Sequence, residues 1–134
     1  MKKTIVLLLA AFCLTACPGR QEQTNLKDAL NAKLQDDSDL KDYKINPAEI
    51  TDCVVDAIGD SLPGLPGDPR HARYFQAYAK FLSVKSETDI DNAMKEFKDL
   101  FGSEKEARTA AVGITDHIMT CMGMAIAKRG DAGE

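Results

Sequence analysis

Apolar residues return every three or four positions in five stretches of this chain, with polar residues filling the rest of each turn. That period is the mark of an amphipathic α-helix, in which residues three and four apart share one face. The first stretch, LKDALNAKLQDD, sets Leu26, Ala29, Leu30 and Leu34 on one side. The second, NPAEITDCVVDAIGD, does the same with Ile50, Cys53, Val54, Ala57 and Ile58, and it carries its own punctuation. Asn46 is a helix cap, Pro47 fits the first helical position, Glu49 completes an Asn-x-x-Glu box, and Gly59 is a stop. The third, PRHARYFQAYAKFLSV, starts at Asp68 and Pro69 and turns Ala72, Phe75, Tyr78, Phe81 and Leu82 inward, with Tyr74 at the boundary. The fourth, SETDIDNAMKEFKDLFG, opens with a box from Ser86 to Asp89 and offers Ile90, Ala93, Met94, Phe97, Leu100 and Phe101 before Gly102. The fifth opens at SEKE, Ser103 to Glu106, and runs through Ala107, Ala111, Ile114, Ile118, Cys121, Met122, Ala125 and Ile126.

No stretch alternates with the period of two that a strand requires. The pattern therefore predicts an all-α fold, a small helical bundle of about five helices. The aromatic residues of these helices fall in the third and fourth, which are expected to form the thickest core layer. The acidic run from Asp36 to Asp42 is expected to be a mobile connection. One clear break interrupts the chain, GDSLPGLPGDP: its prolines exclude helix and central strand, while Gly64 and Gly67 permit turns. This stiff loop presents Leu62 and Leu65, either folded back as a cover over the core or projecting toward a partner.

The chain begins MKKTIVLLLAAFCLTAC. Lys2 and Lys3 followed by a short apolar run from Ile5 to Leu14 form an export leader, too short for a membrane-spanning helix. The ending LTAC, residues 14 to 17, resembles the lipobox of bacterial lipoproteins, in which the cysteine receives a lipid and becomes the first residue of the mature chain. The resemblance implies a leader over 1–16, lipidation at Cys17, and outer-membrane sorting facing the periplasm, because Pro18 rather than Asp follows the cysteine. Residues 17–25 are expected to be the lipidated cysteine and a polar tether, and 26–134 a single helical domain. The mature 118 residues suffice for one core and not for two ordinary domains.

Without Lys2 and Lys3, 15 basic side chains stand against 21 acidic ones, a formal charge of −6. Such a balance argues against a nucleic-acid partner, which needs a basic patch. It is compatible with a basic protein partner. Along the second helix Asp52, Asp56 and Asp60 fall four apart and line up as an acidic ridge running toward the loop, either a solvated face or a docking edge.

With Cys13 and Cys17 set aside, the folded domain holds two cysteines, Cys53 and Cys121. Each sits in the middle of an apolar helix face, and in an oxidising compartment the simplest outcome is one disulfide between them. His117, Cys121 and Met124, spaced four and three apart, are the kind of donors that select Cu(I). Metal ligation would compete with the disulfide, and methionine is the usual filler between helices. No metal or other cofactor is therefore expected. Catalysis is not expected either: there is no His-Glu-x-x-His, nucleophile elbow or phosphate loop, and His71 and His117 have no obvious relay partner.

The expected function is that of a membrane-anchored envelope lipoprotein working through protein–protein contacts, as a structural or assembly component. Two alternatives stand beside it. One is an immunity or inhibitor protein, since small helical periplasmic immunity proteins with one disulfide are of this general type. The other is a carrier of an apolar ligand, which requires a cavity between the helices. The expected partner surface is Asp52, Asp56, Asp60, Leu62 and Leu65.

Overall fold

The computed structural model describes residues 18–131. The expected leader and the expected lipidation site, Cys17, lie outside the described residues. Among the described residues there are six helices and no strands: α1 (Pro18–Leu34), α2 (Ser38–Asp42), α3 (Pro47–Ser61), α4 (His71–Leu82), α5 (Glu87–Phe101) and α6 (Glu104–Asp131). The fold is the expected all-α bundle, clamped by a Cys53–Cys121 disulfide whose Cα atoms are 6.0 Å apart.

Side-chain pairs fix how the helices run. The disulfide joins the middle of α3 to α6, and Glu49 lies 3.6 Å from Arg129, so α3 and α6 are antiparallel. Lys27 meets Asp52 while Arg20 and Gln23 lie near Asp56 and Asp60, so α1 and α3 are antiparallel too. Lys80 bonds Glu96 and the Tyr74 hydroxyl donates to the Leu100 carbonyl, which sets α4 against α5 in the same sense. The helices close a ring in the order α1, α4, α5, α6, α3 and back to α1. At one end of it α1, α4 and α6 begin and α3 and α5 finish.

The core follows the predicted stripes. Leu26, Leu30 and Leu34 of α1, Ile50, Val54 and Ile58 of α3, and Ile114, Cys121 and Ala125 of α6 are buried. The aromatic layer also forms where expected: Phe97 is fully buried, with Tyr78, Phe81 and Phe101 packed around it at ring-centroid distances of 5.0, 5.2 and 5.6 Å. Helix boundaries obey local chemistry. Ser86 and Asp89 form the reciprocal capping box of α5, Gly102 ends that helix with a left-handed φ of 86°, and Ser103 Oγ accepts from the Glu106 N–H at the start of α6.

Several expectations need correcting. The segment 18–25 belongs to α1 and is not an extended tether. The acidic run contains the short helix α2, capped by Asp37 and held by buried Leu40. Glu49 does not return to Asn46: the Asn46 side chain accepts from the Ala48 N–H, and the Glu49 carboxylate faces Arg129 instead. Ile90 and Ile126 are exposed rather than inward, whereas Thr51 and Val55 widen the buried arc of α3 beyond the predicted face; Met119 and Met124 also face solvent.

Candidate protein-docking cleft

The chain reverses between α3 and α4 through residues 62–70, and the proline and glycine content of that loop is put to specific use. Gly64 and Gly67 take φ values of 113° and 84°, a region that side chains disfavour. At Gly64 a Cβ would also come within 2.6 Å of Asp68 Oδ2, so the backbone passes directly over the Asp68–Arg70 pair. The Asp68 carboxylate accepts from the Arg70 backbone N–H and from its guanidinium, the shortest of these contacts being 2.6 Å. These bonds hold the Asp68 pKa down at about 2. His71, buried at the first position of α4, lies with Nε2 3.2 Å from the Pro63 carbonyl, and since a carbonyl can only accept, Nε2 carries the donated proton. The loop is thus pinned at both ends.

The two leucines of the loop separate. Leu62 is 5% exposed and joins the core, so it is a cover and cannot serve in a partner surface. Leu65 is 79% exposed, more than any other large apolar side chain described.

Beside the loop lies a solvent-open cleft of about 660 Å³. Its walls are the first turns of α1 at Arg20 and Gln23, the end of α3 at Asp56, Gly59 and Asp60, and the loop from Pro66 to Pro69. Phe75 and His71 contribute from α4 as largely buried floor residues, and Gly59 packs beside the Phe75 ring, where a Cβ would stand in ordinary contact at 3.6 Å. All three carboxylates of the predicted ridge are exposed. They are not equivalent. Asp52 is bonded to Lys27 at 2.7 Å, whereas none of the six ion pairs among the described residues uses Asp56 or Asp60. The free end of the ridge is therefore the end that borders the cleft.

Arg20, Gln23, His71 and Phe75 were not foreseen as part of this site. Gln23 lies three residues before Leu26 and so continues the helical register backward, but a polar residue leaves no trace in an apolar pattern. The proposed Cu(I) donors do not form a ligand set: the Cys121 sulfur is in the disulfide and Met124 is exposed. No group of three or more metal-binding side chains occurs among the described residues. Compared with family models, curated proteins and solved structures, the chain matches none.

Proposed function

We propose that this chain is a small lipid-anchored protein of the bacterial cell envelope that binds another protein, serving as a structural or assembly component. The leader and the LTAC sequence support the anchor. The observation that carries the binding role is the cleft, where two unpaired carboxylates, Asp56 and Asp60, stand opposite the exposed rings of Pro66 and Pro69. This combination suits a basic side chain with an apolar stem: the stem packs on the proline wall of the loop and the charge meets the ridge. An immunity or inhibitor protein would use the same surface, and the identity of the partner separates the two readings. A carrier needs an apolar chamber, whereas this cleft is open and edged by carboxylates.

The test is capture from detergent-solubilised envelope by the acylated parent and by the Asp56→Lys, Asp60→Lys variant. A partner held by the parent and lost from the variant, with helical content unchanged, supports the reading. Equal capture by both removes the ridge from the site. A partner that proves to be a toxin places the chain among immunity proteins, and a cell-wall or secretion component places it in assembly.

A further inference from the structure

The apolar tip of the 62–70 loop has no counterpart in the carboxylate ridge, and its position suggests a separate role. We propose that this loop rests on the lipid bilayer, with Leu65 seated in the interface, so that the domain stands end-on with the start of α1 toward the membrane. This rests on the reading that Cys17 carries the lipid. Cys17 is joined directly to Pro18, the first residue of α1, so a single residue step of about 3.8 Å separates the anchor from the helix.

The end of the bundle nearest the anchor is therefore the end nearest the bilayer. Arg20 and Gln23, in the first turns of α1, line the same cleft as Pro66 and Pro69, which puts the loop beside the anchored helix start. The loop is stiff, and Leu65 projects from it with most of its surface exposed. A protein hot spot needs apolar groups clustered in a shaped patch, and the neighbouring Leu62 is buried in the core. A bilayer interface makes no such demand: it accepts one apolar tip, and the covalent lipid supplies retention. On the loop itself the one carboxylate, Asp68, is neutralised by Arg70, so the tip carries no free charge to oppose contact with a zwitterionic surface.

The chain has no tryptophan, so Leu65→Trp introduces a single fluorescent reporter at an exposed site. Tyr43→Trp supplies the control. Tyr43 is also exposed, and its carbonyl accepts from Arg129 at the far end of the bundle, roughly 25 Å away along α1. Both full-length variants, acylated in a bacterial host, are reconstituted into phosphatidylcholine vesicles with and without brominated acyl chains. The expected result is a shift to shorter wavelength and loss of most emission for Leu65→Trp in brominated vesicles, with Tyr43→Trp unchanged. Equal emission for Leu65→Trp in the two vesicle types overturns the proposal, and so does quenching of both variants, which means a domain lying flat. The intact mass of each protein reports the lipid on Cys17: its absence overturns the anchor and this inference together, whereas its presence with an unquenched loop overturns the inference alone.

Discussion

Thr51 is 2% exposed, and its Oγ1 has no hydrogen-bond partner among the described residues. A buried hydroxyl in that condition costs about 1–3 kcal/mol relative to a satisfied one. Valine has nearly the same shape without the polar atom, so Thr51→Val should raise the free energy of unfolding by about 1 kcal/mol, read as a higher urea midpoint. No increase would mean that the hydroxyl is hydrated. Tyr78 makes the opposite kind of contribution. Burial in the aromatic layer pushes its pKa up to about 12, because the phenolate is poorly solvated there. The native state thus holds this proton more tightly than the unfolded chain, whose tyrosines titrate near 10. The stabilisation is complete below pH 10 and is lost as the pH rises from 10 through about 12, a loss on the order of 2 kcal/mol. Tyr78→Phe should flatten that part of the stability profile relative to the parent.

Among the elements α6 departs most from its neighbours. An 18-residue window inside it reaches a mean hydropathy of 1.3, long and apolar enough to cross a membrane, yet one stripe of the helix, Ala107, Ile114, Cys121 and Ala125, is buried against α3 and α5. The opposite side carries Val112, Met119 and Ile126 into solvent. Ile114→Ala should cost about 2–4 kcal/mol by leaving a cavity, whereas Met119→Lys should change stability by less than about 0.5 kcal/mol. Comparable losses from both would mean that the outer stripe is packed in the folded protein. This asymmetry also marks what the sequence could reveal. The inward stripes of α1, α3, α4 and most of α5 repeat at helical spacing and were legible. In α6 apolar residues occur nearly all round, so periodicity left Met119 and Met124 without a side and placed Ile126 inward, although it is exposed. The first turns of α1 contain no large apolar residue, and α2 rests on Leu40 alone, so neither produced a pattern. The ridge and the loop were each visible, but the cleft also needs Arg20 and Phe75, and no local pattern states that α1 lies beside α4.

At the scale of the whole molecule the ring of helices has one covalent closure, and it falls at a place where packing alone is thin. α4 and α5 join through six-membered aromatic rings, and α1 contributes three buried leucines, whereas α6 faces α3 mainly with alanines, Ile114 and Cys121. Small side chains permit close approach but remove little apolar surface from water per residue. The disulfide spans 68 residues of sequence, and in the chain-entropy model a closure of that size stabilises by about 4 kcal/mol. That is a large part of the net stability of a domain this small, which is on the order of 5–15 kcal/mol. Reduction should therefore lower the free energy of unfolding by roughly 2–5 kcal/mol, and the loss should be uneven. At the far end of the bundle α6 is held to the turn before α3 by Arg129, which donates to the Tyr43 and Lys44 carbonyls from the protein surface. Such exposed bonds hold weakly once the sulfur bridge is gone. Hydrogen exchange on the reduced protein should then show amides after Cys121 losing protection first, while those of α4 and α5 around Phe97 remain slow. If the end of α6 stays as protected as the aromatic layer after reduction, the bundle closes by packing and the disulfide is not its clamp.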